Sequence, residues 1–345
     1  MAPKLLNIIA HDIFEAKNIE MYSSLGFEVQ TTGVYSDPYN LDPTKPHLPK
    51  VKGNFNKDLV EGFKELNPQG FQYGRGNLNL SAEYIKKFDV VLFSWIIEPL
   101  FQNFALFSGI PTFYQTFGQS DGNRENLLRK LRGARVPVVR MSEHEKFFPN
   151  YAGADAVIDL QIDTNFYKGW TGQEEYIYTV NSAFVQRKFE SNTAEYLKVT
   201  EDLPKKLYGT HNQGMRALYN YGAASSEELL RQFQINRLYF SLGTKPCPVV
   251  LSFKEAMSTG QPVITWGPKL GGPTFAAHTF IENGVNGFYS DDLSELKSYA
   301  ELLLKNYDLA KKVSIEGRKT ALKNFGMDII GPKWLSLFRE KGVSI

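Results

Sequence analysis

The sequence predicts an α/β protein with two halves, each a parallel sheet covered by helices. Three observations predict it. The chain has 345 residues, 42% of them hydrophobic and 22% charged, enough for two cores of ordinary size. Short apolar runs alternate with helix-length segments along most of its length, the grammar of parallel sheets covered by helices. The stretch Ser252–Ile264 (SFKEAMSTGQPVI) reads as a helix ended by a left-handed Gly260, with Pro262 opening the buried strand Val263-Ile264-Thr265.

Taken in order, Lys4–Ala10 predicts a first buried strand, Glu15–Leu25 a helix closed by Gly26, and Phe27–Thr32 a second strand. This opening delivers Ala10-His11-Asp12-Ile13 as a ligand-facing loop. Tyr35–Asn56 is rich in Pro, Asp, Asn and Lys, buries too little apolar surface for a core element, and reads as a long surface loop. Phe88–Ser94, Pro111–Thr116, Val136–Met141 and Ala156–Asp159 predict further strands, and Ser120-Asp121 precede a helix over 122–132. Lys168–Glu175, with two glycines and charges, predicts a linker.

Tyr176–Val180 opens the second half, followed by a helix over Arg187–Val199 and a strand over Lys206–Tyr208. Ser225 with Glu228 forms a capping box for a helix reaching Gln234, and Leu238–Phe240 is a buried strand. Ser294–Tyr307, Leu309–Phe325 and Asp328–Glu340 predict three successive helices, the last with Trp334, Leu337 and Phe338 as its apolar stripe. No repeat of fixed period is present.

Composition removes several classes of function. A formal charge of +2 gives no argument for a nucleic-acid partner. One Cys among 345 residues excludes an internal disulfide and a cysteine-built zinc site, which suits a reducing compartment. The first apolar run is too short for a signal-peptide core, and no stretch approaches the ~20 apolar residues of a membrane span, so the expected location is the cytoplasm. No G-x-G-x-x-G follows a strand, against a dinucleotide-dependent dehydrogenase.

The ordered set Gly222…Ser226-Glu227-Glu228-Leu229, Glu255–Ile264, Gly271-Gly272 and Asn283-Gly284-Val285-Asn286-Gly287-Phe288 resembles the donor domain of retaining nucleotide-sugar glycosyltransferases of the GT-B fold. The likeness is strongest over residues 176–326. It implies two Rossmann-like domains, an acceptor domain over 1–170 and a donor-binding domain over 171–326, with the helix within 327–345 packing back on the first. The implied substrates are a nucleotide-sugar donor and a hydroxyl acceptor: glycan, lipid, small molecule or nucleic acid. No cofactor and no metal is implied.

The residues that such chemistry needs are present. The resemblance gives Glu255 the ribose hydroxyls, and a carboxylate can accept both protons; on its own, a Glu early in a helix is favoured by the dipole. Arg187 and Lys188 match the family's diphosphate-binding cations, where a guanidinium fork and a point charge suit a leaving group. The backbone amides after Pro248, those of Val249 and Val250 at a helix start, suit the diphosphate. Gly271 and Gly272, after a strand, allow close backbone approach to the donor or make an ordinary turn, and the resemblance places Gly222 at the donor as well. The family's first carboxylate of the pair is replaced by Cys247, which reads as a small core residue, and the family's His after the Pro111–Thr116 strand is absent. His11 and Asp121 remain as candidate bases for the acceptor hydroxyl, Asp121 reading equally as a helix cap. His144, with Glu143 and Glu145, is a further candidate. Arg124, Arg129, Lys130, Arg132 and Arg135 on helix 123–135 form either a solvated face or a contact for an anionic surface. Two rivals share the fold: a nucleotide-sugar epimerase and a catalytically inert nucleotide-sugar binder.

Overall fold

The computed structural model describes residues 2–41, 48–71 and 77–345. In the first half, β1 (Lys4–Ile9), α1 (Asp12–Ser24), β2 (Glu28–Thr31), α2 (Lys57–Leu66), α3 (Ala82–Ile85), β3 (Val90–Ser94), α4 (Glu98–Gln102), β4 (Thr112–Gln115), α5 (Gly122–Gly133), β5 (Val138–Arg140) and β6 (Ala156–Val157) follow one another. β3 is buried at every position, as expected of a strand with helices on both faces. The strands pair in parallel in the order β2-β1-β3-β4-β5-β6.

The second half contains β7 (Glu174–Val180), α6 (Thr193–Val199), β8 (Lys205–Tyr208), β9 (Asn220–Gly222), α7 (Ser226–Ile235), β10 (Asn236–Ser241), α8 (Leu251–Thr259), β11 (Val263–Trp266), α9 (Pro268–Gly271), β12 (Phe288–Ser290), α10 (Leu293–Lys305), α11 (Tyr307–Phe325) and α12 (Met327–Glu340). Its parallel sheet runs β12-β11-β10-β7-β8-β9. The two-half α/β architecture expected from the alternation is therefore present, and Gly260 ends α8 at φ 91° as predicted.

α12 does not pack on the sheet that precedes it. Its Trp334 and Phe338 join the core of the first half, with Tyr22, Phe27 and Phe113 at ring separations of 5.0–6.1 Å. Polar groups fix α1, which packs beside α12, on the same sheet. Asn18 Nδ2 donates to Asn7 Oδ1 at 3.0 Å, and Asn7 Nδ2 donates to Ser94 Oγ at 2.9 Å.

Three local expectations are corrected. The helix expected over Arg187–Val199 begins only at Thr193. Asn192 takes a left-handed conformation, held by its donation to Leu270 O at 3.0 Å, and this interrupts helical bonding upstream. No strand was expected at Gly222, yet β9 ends there as a short edge strand with little apolar signal. Ser225 caps α7 through Glu228 N, but the Glu228 carboxylate turns to Arg231 and Gln232 rather than back to Ser225.

Candidate active site at the cleft

In each sheet the strand order reverses once, and the crevice beyond the carboxyl ends of the two strands at that reversal is where doubly wound folds take ligands. In the second sheet these strands are β7 and β10. Just past them lie Asn181-Ser182 and Gly243-Thr244, and these residues line a cavity of about 590 Å³. Gly243 is at φ 68°, and a Cβ there would meet the Phe275 ring at 2.7 Å, so the chain turns here only with glycine. The far wall comes from α1 of the first half through Ile13, Ala16, Lys17 and Glu20, so the cavity lies between the halves.

Glu255 stands on its wall, 12% exposed at the side chain. α8 brings it there: Val250, which occupies the cap position and makes no side-chain cap bond, and Leu251 and Ser252 of the first turn line the same cavity. Backbone N–H groups of that turn, with the helix dipole behind them, suit an anion. Glu255 Oε1 accepts a hydrogen bond from Tyr167 Oη at 2.7 Å and pairs with Lys17 Nζ at 3.2 Å. Burial, and then the adjacent Glu255 carboxylate, push the Tyr167 phenol far above its ordinary value, so it stays a neutral donor. Lys50 and Lys52, from the long loop expected at the surface, also face the cavity. Residues 42–47 of that loop lie outside the described residues.

The other expected site residues fall in different places. Arg187 and Lys188 follow β7 at the correct end of the sheet, but both are exposed and neither lines this cavity; Lys188 Nζ lies 5.0 Å from the Phe189 ring. Gly222 lines a separate surface cavity beside Gly209 and Asn212. Pro248 touches the other half, since a Cβ on Gly118 would meet its Cδ at 2.6 Å, and Val249 is buried. Gly271 ends α9 against Phe275, and Gly272 makes the turn after it at φ 87°. Burial pushes the Cys247 thiol up to about 12, so it is inert as a nucleophile at neutral pH.

In the first half, Asp121 is the cap of α5, its Oδ1 accepting from Arg124 N at 2.8 Å, and it is exposed. His11 follows β1 at the reversal of the first sheet, against Phe14 at 4.5 Å and Trp95 at 6.2 Å. Burial lowers its pKa, and among the described residues its buried Nδ1 has no partner. His144 packs across the cleft on His278, ring to ring at 6.1 Å, outside the cavity. Arg124, Arg129 and Arg132 are bonded to the chain itself, at Trp95 O, Asn150 O and Asp155, so α5 does not present five free cations. Among the described residues no three His, Cys, Asp or Glu side chains gather as a metal-binding set, and no helix is long and apolar enough to cross a membrane.

Lys17, Tyr167, Ser182 and Gly243 were missed by sequence reading. Gly243 carried a signal, a glycine two residues past the buried strand β10; Lys17 carried none, being one lysine on a helix whose sequence shows no apolar stripe.

The sequence matches no protein-family model and no curated protein. Solved structures do match over nearly the whole chain. A glycosyltransferase from Rickettsia africae ESF-5 superposes with a TM-score of 0.69 at 13% identity, covering 99% of this chain and 98% of that one. Sucrose-phosphate synthase from Thermosynechococcus elongatus gives 0.67 at 12% identity, covering 98% of both chains. Anabaena HepE in complex with UDP-glucose gives 0.64 at 13% identity, covering 98% and 99%. The chain has the GT-B fold. In a GT-B fold the two sheets turn their carboxyl ends toward one cleft, and the Glu255 cavity occupies that cleft here.

Proposed function

We propose that this protein is a glycosyltransferase that moves a sugar from a nucleoside diphosphate sugar to a hydroxyl acceptor, with retention of anomeric configuration. The observation that carries the proposal is Glu255, held at the wall of a cavity at the switch point of the second sheet, beside the amino end of α8. The carboxylate takes the ribose hydroxyls and the helix end takes the diphosphate. Lys50 and Lys52, which already face the cavity, add positive charge as the leaving group departs. Arg187 and Lys188 reach that diphosphate only where the 181–192 segment folds over the cavity. On the acceptor side His11, whose burial lowers its pKa and favours the neutral imidazole, is the proton acceptor. The HepE complex supports a UDP-sugar as the first donor to test.

The test is a thermal-shift screen with UDP-, GDP- and dTDP-sugars. A donor supplied at about a hundred times its dissociation constant stabilises the folded state by about 2.7 kcal/mol. NMR of the stabilising donor, alone and with acceptors, then follows its consumption. Transfer by the wild type and its loss by at least tenfold in Glu255→Ala are expected. No shift with any nucleotide sugar overturns the proposal, and interconversion of the donor without acceptor replaces it with an epimerase.

A further inference from the structure

Resting on the reading of Glu255 as the ribose anchor, we propose that Lys17 and Tyr167 set the donor's sugar selectivity, ribose over 2′-deoxyribose, by immobilising one oxygen of that carboxylate. Three parts of the chain meet at Glu255 Oε1. The first half supplies Lys17 Nζ at 3.2 Å, the segment joining the halves supplies Tyr167 Oη at 2.7 Å, and α8 of the second half supplies the carboxylate. Among the described residues no hydrogen bond engages Oε2, the acceptor edge left for a ligand.

Both clamping residues are themselves held. Lys17 O accepts from Gln161 Nε2 at 2.6 Å, and its Nζ lies 5.2 Å from the Tyr167 ring centroid. Tyr167 N donates to Asp163 O at 2.9 Å, while Tyr167 O accepts from Arg318 Nη1 at 2.8 Å. A carboxylate free to turn would offer either oxygen and tolerate a ligand with one hydroxyl. With Oε1 fixed by two donors, the remaining edge is presented in one orientation, and a ribose lacking one hydroxyl leaves an acceptor site of the charged group unmatched. Lys17 and Tyr167 are positioning residues in this scheme. Because Lys17 belongs to the opposite half, ribose recognition is assembled only when the halves are together.

Calorimetric titration of the full chain with UDP, GDP and their 2′-deoxy counterparts tests this. The wild type is expected to bind one ribonucleotide about tenfold or more tightly than its deoxy form, the scale of a hydrogen bond to a charged group. Tyr167→Phe and Lys17→Met are expected to bring that ratio within about threefold, and Lys17→Arg to keep it. A merely structural role for either residue weakens both nucleotides together and leaves the ratio in place. An unchanged ratio in both Tyr167→Phe and Lys17→Met overturns the inference while sparing the ribose reading. Equal wild-type affinity for ribo and deoxy forms, or binding of none of the four, overturns the ribose reading and this inference with it.

Discussion

Arg140 has no exposed surface, yet it carries a full charge in the core of the first half. Its Nη2 and Nη1 donate to the two oxygens of Glu125 at 2.7 and 2.8 Å, and Nη1 lies 3.3 Å from Glu145 Oε2. The remaining capacity is met locally: Ala152 N donates to Glu125, Met141 N and Thr116 Oγ1 to Glu145. Burial alone would raise Glu125, but the Arg140 hydrogen bonds prevail and hold its carboxyl below the usual value; at Glu145 burial prevails and raises it. Arg140→Met leaves two buried acids without their cation. Chemical denaturation is expected to show a loss of about 3–5 kcal/mol, and a loss below ~1 kcal/mol would mean that the network contributes little. Asp121 was readable as a cap because the cue lies within three residues. Glu125 and Glu145 were not, because a helix-surface acid and a buried one look alike until the partner arrives from another strand.

At the scale of one element, α1 does two things at once. Its Lys17 faces the cleft, while Glu15 is fully buried and accepts from Val34 N at 2.8 Å and Tyr35 N at 3.0 Å, fastening the start of the long loop. Burial outweighs those bonds and raises the Glu15 carboxyl from 4.5 to about 7. Between these values the unfolded chain releases a proton that the folded chain keeps. The stability Glu15 contributes is therefore complete below 4.5 and is lost as pH rises through about 7. Glu15→Gln should flatten that slope: across this interval the wild type is expected to lose about 3 kcal/mol relative to the variant, measured by denaturation at each pH. Parallel slopes would place the titration elsewhere. The helix itself was legible from its length and from Gly26 at its end, but which face met the cleft was not.

Across the whole molecule, the halves are joined by α12 and by contacts over the cleft. Trp334 is wholly buried on Tyr22 and Phe338, in the half opposite to the sheet from which its chain arrives. Trp334→Ala is expected to cost about 3–5 kcal/mol, the range for deleting a core aromatic. It should also weaken nucleotide binding, because Lys17 and Glu255 lie on opposite halves. Calorimetry showing full affinity in a destabilised variant would show that the halves align without this helix. Lys254 adds a second tie, its Nζ fully buried and paired with Asp159.

Most of the order of strands and helices, the left-handed stop at Gly260, the apolar stripe of α12 and the place of Glu255 on α8 were determined by the sequence. Each depends on residues within a turn or two of one another, where propensity, periodicity and capping act. Tertiary structure alone decided that Lys17 and Tyr167 meet Glu255, that Arg187 and Lys188 remain at the surface, and that Gly222 belongs to an edge strand. The Glu255 contacts depend on which elements approach across the cleft, and contacts between groups 88 or more residues apart leave no periodic trace in the chain.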